Sequence, residues 1–409
     1  MDILYSVKEE LVMFVQFTVK NVLSFKDETI LDMTAINAYK EHECNLIEVG
    51  TKEKFLKVAA IYGANASGKS NLYCAMRYFQ RIIAESLNNV DEDKETTLER
   101  YYVPFEFEEN KENSEFQIVE IVGKYEYRYG FEYNSKCIVA EWMYRKNIET
   151  NRSSIIFERA PHSVVFGASV RKECDMYREQ IPAETLVLSF FNKLKLKDNI
   201  FKDVYSSIMD MLVVPTDFCE DPRLLEALLP RVIDEEKENL LEFLTAIDTG
   251  IKNIGYDDSE KQVEFFTTHV GRDGKEYSLN LYCESEGTIK SIMLYMYAKI
   301  AILYDRSMFV DELNIKLHPL LLKFIIDLFY ERDSMAQLIY TTHDTTLMDK
   351  KFFRRDQIWF VQKDEFGYSE LVALSDFKVR SDASFEKDYL AGVYGGIPLI
   401  KEFAMREGE

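Results

Sequence analysis

The chain is poor in what secreted, metal-binding and membrane-spanning proteins need. Its six cysteines stand at 44, 74, 137, 174, 219 and 283 with no CxxC pair among them. That excludes a sequence-visible disulfide framework or zinc site and suits a reducing, cytoplasmic setting. The five histidines are equally dispersed. No run of eighteen apolar residues exists, so no membrane-spanning helix is expected. The start, "MDILYSVKEELVMFVQF", lacks a basic region and a long apolar run, so no signal peptide is expected. Positive charge is also short: 50 Lys and Arg face 71 Asp and Glu, a formal net charge of −21. Such a surface repels a phosphate backbone at long range, which disfavours general nucleic-acid binding. Local basic stretches remain at 145–152 and 192–202. Internal repeats and low-complexity tracts are missing too.

What is present is ordinary globular material, 409 residues with 47% hydrophobic and 30% charged. That length is enough for two or three compact units or one large core with an insertion. The segments "FVQFT" (14–18), "TILDM" (29–33) and "FLKVAAIY" (55–62) have strand character. The last is nearly continuous in apolar residues, the mark of a strand buried on both faces. After it comes "GANASGKS", then a stretch whose Leu72, Ala75, Met76, Phe79, Ile82, Ile83 and Leu87 recur at helical spacing. Residues 91–100 are expected to be a polar linker. Residues 102–158 read as an antiparallel β layer with a hairpin at Gly123-Lys124. Residues 170–252 read as helices broken near Pro215 and Pro222, and α/β character returns from about 253. The expected division is an extension at 1–12, a first half at 13–165, a helical insertion at 166–252 and a second half at 253–409.

Four motifs carry chemistry. Gly63, Gly68, Lys69 and Ser70 fit G-x-x-x-x-G-K-[ST] between a buried strand and an amphipathic helix. Backbone N–H groups of such a loop, with the helix N-terminus, cradle phosphates. Lys69 is expected on the β- and γ-phosphates and Ser70 on Mg2+. Asn65, Ser67 and Asn71 complete the nucleotide-binding set. The second motif is "MFVDEL": Asp311 is placed to hold Mg2+, and Glu312 to orient or deprotonate the attacking water. The third is "QLIYTTHD", which sets His343 at a strand end where it can touch a γ-phosphate. The fourth is "ESEGTIKSIMLYMYAKIAIL", where Ser285 opens an apolar helix leading into the Asp311 strand. His318 and Pro319 are expected to open the next helix.

Taken in order, these motifs resemble an ABC-type ATPase of the SMC/RecF kind. The fold implied is α/β, an ABC-type P-loop ATPase with an antiparallel β layer and an inserted helical lobe. Blocks such as "VDELNIKLHPLLLKFIIDLF", "TTHDTTLMD", "RRDQIWF" and "DYLAGVYGGIP" resemble more closely the prokaryotic AAA-type ATP-binding proteins of RloA and AbiL abortive-infection type, related to the PARIS ATPase subunit. The resemblance implies ATP and Mg2+ as cofactors and head-to-tail pairing of two copies. Ser285, Gly287 and Thr288 of one copy would then meet the γ-phosphate held by Lys69 of the other. It also implies a separately encoded effector, RloB-like or a Toprim nuclease, since no stretch of this chain reads as a nuclease domain. Two alternatives stand beside it: a RecF-like DNA-binding repair ATPase, and a slow binding module whose ATP only sets oligomeric state. A transporter subunit fits poorly, because the signature is not LSGGQ. The magnesium-sensing glutamine stays unassigned, with Gln117 in the right general region. Phe25 and Lys26 are the candidates for contact with adenine.

Overall fold

The computed structural model describes residues 11–50, 53–87, 95–214, 222–259, 263–315, 317–330, 334–380 and 383–397. The expected extension at 1–12, Asp91–Lys94 of the polar linker and the break at Pro215 lie largely or wholly outside them.

The phosphate-loop motif sits on a parallel sheet. Its spatial order is β11 (Leu212–Val214), β15 (Ser307–Val310), β16 (Gln337–Thr342), β5 (Val58–Tyr62), β17 (Ile358–Lys363) and β18 (Ser369–Ala373). All pairs are parallel except β17–β18. Every residue of β5, β15 and β16 is buried, as a strand covered on both faces requires. Side chains alternate between two cores. Ala59, Ile61, Phe309 and Ile339 enter one; Val58, Ala60, Tyr62, Met308, Val310, Leu338 and Tyr340 enter the other.

The first core lies between this sheet and the antiparallel layer. That layer runs β10 (Ser163–Phe166), β9 (Ser153–Ala160), β8 (Ile138–Asn147), β7 (Tyr125–Tyr133), β6 (Ser114–Val122), β1 (Val12–Lys20), β2 (Thr29–Asp32). The β6–β7 hairpin turns at Gly123-Lys124, as the alternation implies. Helix α1 (Lys69–Glu85) lies in this core, where Phe79 stacks on Phe131 at 5.7 Å. A third sheet, β12 (Asn253–Asp257), β13 (Glu264–Val270) and β14 (Glu276–Asn280), precedes α7 (Glu286–Leu303).

Three local differences from the sequence expectations have plain causes. The apolar run 55–62 is two strands. β4 (Glu53–Leu56) pairs with β3 (Leu46–Val49), and the chain changes sheets at Lys57. There the amide donates to Asn45 O and the carbonyl accepts from Leu338 N. The described end of the polar linker holds a short helix, α2 (Thr97–Tyr101). Thr96 accepts from Glu99 N while Glu99 accepts from Thr96 N, a capping box written in "TTLE". The helical region is present, with α3 (Arg171–Cys174), α4 (Val187–Asn192), α5 (Ile200–Asp210) and α6 (Pro222–Ala246). It has no core of its own. Leu188, Phe191, Phe201, Val204 and Ile208 enter the first core, and Leu240, Phe243 and Leu244 the second. Between α5 and α6, Leu212–Val214 adds the edge strand β11.

The C-terminal blocks are structural clamps. Arg354 is 1% exposed and spends all five of its donors. Its guanidinium binds Asp356 through two bonds, at 2.9 and 2.8 Å, and donates to the carbonyls of Ile36, Tyr39 and Glu41. Asp356 accepts Ile36 N, and Gln357 bonds Asn45 and Val58 O. The loop before β3 is thereby fastened to the phosphate-loop strand. Helix α8 (Pro319–Leu328) starts as expected, with His318 accepting from Leu320 N and Pro319 at the first turn. Helix α9 (Phe385–Leu390) packs Tyr389 on Phe360 at 5.2 Å, and Gly396 lies against Gly63.

Candidate functional site

Parallel strands in register deliver their carboxyl ends to one edge. Ile61 and Tyr62 pair with Thr341 and Thr342, and Val310 with Tyr340. The next residues, Gly63, His343 and Asp311, therefore converge where open α/β sheets bind ligands.

The loop is shaped by close approach. A Cβ on Gly63 would come within 2.6 Å of Ser67 Oγ and Val361 O. Gly68 has φ +116, and a Cβ there would overlap Ser369 Oγ. Among the described residues Ser67 Oγ is buried without a hydrogen-bond partner, a group ready for a ligand oxygen. Asn65 and Ser70 are exposed. Asn71 donates to Ser24 Oγ at 2.7 Å. Lys69 is 4% exposed, and its amine donates to Gly63 O (2.8 Å) and Ala64 O (3.0 Å) and lies 3.3 Å from His343 Nδ1. Burial lowers its pKa to about 8, against the opposing pull of Glu312 and Asp311.

Opposite the lysine stands the acidic pair. Asp311 is buried and accepts from Thr341 Oγ1 at 2.5 Å. Glu312 adopts φ +49, a left-handed backbone that costs a non-glycine residue ~1 kcal/mol or more. Three bonds hold it there: Glu312 N to Thr341 Oγ1 (2.7 Å), Leu313 N to Thr341 O (3.1 Å) and Lys290 Nζ to Glu312 O (3.4 Å). Its carboxylate lies 3.4 Å from His343 Nε2. His343 thus stands between Lys69 and Glu312. Asn314 fixes it from the other side, accepting from Thr342 Oγ1 and His343 N.

Among the described residues no group of three or more His, Cys, Asp and Glu side chains forms a metal cage. The donors here, a serine hydroxyl and one carboxylate beside a phosphate cradle, fit Mg2+, which takes one or two protein ligands plus ligand phosphates and water. Ser285 caps α7. It accepts from Thr288 N (3.1 Å), shares a 2.8 Å bond with Thr288 Oγ1, and is exposed. Lys290, further along the same helix, reaches the Glu312 carbonyl, so this end of α7 lies at the edge of the same site.

Three residues considered for base or magnesium contact are engaged elsewhere. Phe25 is fully buried in the first core and cannot stack on a base; Lys26 pairs with Glu108 at 2.7 Å and Glu112 at 3.0 Å. Gln117 accepts from Trp142 Nε1 within the antiparallel layer. Thr341, Asn314, Ser24 and Ser369 were not selected from sequence. The first two stand within quoted motifs; the serines carry no local signal.

A family model described as "AAA domain, putative AbiEii toxin, Type IV TA system" matches residues 58–161 and 180–349. The chain belongs to this family. It is an AAA-type ATPase of a family linked to abortive-infection systems. The match spans both the phosphate loop and the Asp311–His343 edge. No curated protein matches the chain. Among solved structures it is similar to an SMC head domain from Thermotoga maritima, with 12% identity, a TM-score of 0.41 and coverage of 88% of this chain and 98% of that one. It is also similar to an Smc head with an extended coiled coil bound to the C-terminal domain of ScpA, derived from Pyrococcus furiosus. There the identity is 14%, the TM-score 0.43 and the coverage 94% and 100%. No described helix is long and apolar enough to cross a membrane.

Proposed function

We propose that the chain is an ATP-driven switch in antiviral defence, closing head to tail on ATP–Mg2+ as a pair and controlling a separately encoded effector. The phosphate loop, Lys69 and Ser67 hold the phosphates; Ser70 and Asp311 hold Mg2+. Mg2+ when bound neutralises the phosphate charge. Glu312 orients and deprotonates the attacking water, and His343 contacts the γ-phosphate.

The observation that carries pairing is Ser285. It lies exposed at the edge of the site, bonded to its own helix start. Ser285 is exposed and Gly287 stands two residues on, at a helix start that a second copy can approach. Ser285→Arg in a Glu312→Gln background is expected to bind ATP normally yet fail to double in mass when ATP–Mg2+ is added. Light scattering reads this directly, and an undiminished dimer would refute the composite site.

In the first basic stretch two of the cations are already engaged. Arg145 stacks on Tyr125 at 4.5 Å and Lys146 pairs with Glu126 at 3.2 Å. That, with the charge of −21, favours a protein partner over the RecF-like alternative. The RloA and AbiL likeness of the Arg354 and Tyr394 blocks supports the effector-control reading.

Lys69 gives a pH signature. With a pKa near 8 it is half deprotonated at that pH and loses most of its proton within about one pH unit above it, whereas bound phosphate favours the charged form. ATP affinity should be flat below this pH and fall above it, approaching tenfold per pH unit. Calorimetry in buffers of different ionisation enthalpy should show proton uptake on binding. Without ligand the sign for folding is opposite. The unfolded chain keeps the proton up to about 10.5, so stability rises with pH between these values.

A further inference from the structure

The strand order gives the site a direction. β16 and β15, which carry His343 and Asp311, lie on one side of β5; β17 and β18 lie on the other. A nucleoside triphosphate with its γ-phosphate toward Glu312 must extend its nucleoside toward the β17–β18 side. A cavity of about 870 Å³ stands there, lined by residues that include Asp27, Glu28, Phe107, Phe366 and Ser369. Ser369 joins it to the phosphate loop: its hydroxyl donates to Ser67 O at 2.6 Å and lies 2.8 Å from Ser24 Oγ, the acceptor of Asn71.

Two phenylalanines on this cavity are left open to solvent, Phe107 at 71% and Phe366 at 65%. Large exposed apolar rings beside a polar cavity call for an explanation. Phe107 is braced. Its ring rests on Gly367, whose φ is +92 and where a Cβ would come within 2.7 Å of it. Phe105 meets it edge-on at 5.6 Å and is itself packed on Tyr368 at 4.4 Å. A ring supported from behind with most of its surface open is a stacking platform. Asp27 and Glu28 add acceptors, which suit the amino group of a purine or ribose hydroxyls.

We infer that this cavity holds the purine nucleoside, with the base held between Phe107 and Phe366 and the ribose beside Ser369. The inference rests on the phosphate-loop function proposed above. It is tested by calorimetry of the full chain with ATP–Mg2+ and, separately, with inorganic tripolyphosphate–Mg2+. Phe107→Ala and Phe366→Ala should each weaken ATP binding roughly tenfold, the order of one base–ring stack, and leave tripolyphosphate binding unchanged. Phe366→Trp keeps a ring; it should retain ATP affinity, with indole fluorescence quenched by ATP and not by tripolyphosphate. Phe366→Ala should leave the melting temperature unchanged, and Phe107→Ala, which loses its edge contact with Phe105, should lower it by no more than a few degrees. Lys69→Ala separates the two failures. If it abolishes ATP binding while both phenylalanine variants bind ATP like the parent, the nucleoside cavity is wrong and the phosphate loop stands. Equal loss of ATP and tripolyphosphate in those variants overturns the cavity as well. If Lys69→Ala binds ATP normally, the phosphate-loop reading falls and takes this one with it.

Discussion

Glu312→Gln is expected to lower ATP hydrolysis by roughly 10²–10⁴-fold, the range for a positioned general base, while leaving ATP binding intact. The amide is isosteric, so the φ +49 backbone and its three hydrogen bonds have no reason to change. What is lost is the proton acceptor beside His343. In the proposed pair, blocked hydrolysis would mean blocked release. The variant should therefore shift from one protomer to two on adding ATP–Mg2+ and stay so through gel filtration. Steady-state phosphate release and solution mass check the two halves. Wild-type turnover would remove Glu312 from the chemistry. A single-protomer mass at saturating ATP would remove the pairing.

Arg354→Ala is the largest expected stability loss, about 3–5 kcal/mol, read as a lower denaturant midpoint. The guanidinium is enclosed, and its removal strands the Asp356 carboxylate and the carbonyls of Ile36, Tyr39 and Glu41 at once. Arg354→Lys should recover little, because an ammonium cannot match a planar two-bond fork and three diverging carbonyls together. The adjacent Arg355 is the control. It lies 3.9 Å from Glu41 and over the Tyr39 ring, partly exposed, and Arg355→Ala should cost no more than about 1 kcal/mol.

The convergence of the motif ends on one sheet edge was legible because each motif ends a buried strand. Val58–Tyr62, Ser307–Val310 and Gln337–Thr342 are apolar runs, and polar residues directly after such runs can lie only at the sheet's edge. Their order across the sheet was not legible. Parallel neighbours are set by long crossovers, so nothing local says that β17 flanks β5 on the side away from β16. For the same reason Ser24 and Ser369, 345 residues apart yet 2.8 Å in contact, gave no signal. The change of sheets at Lys57 was hidden by an unbroken apolar run, which reads the same whether the chain stays in one ladder or crosses between two. Phe25 misled because an aromatic near the first strands reads alike whether it faces a ligand or a core. The helical region looked self-contained because helical periodicity reports one apolar face and not which core receives it.

The position of β5 between β16 and β17 also sorts kinetic effects. Substitution of Glu312 on the Asp311–His343 flank should change kcat with little effect on KM. Substitutions on the Ser369–Phe366 flank should change KM with little effect on kcat. A partner pressing on the β17–β18 hairpin would then set how much ATP the switch needs without altering how fast a filled site turns over. Effector control through that hairpin would act as an adjustable threshold, and control through the α7 start as an on–off gate.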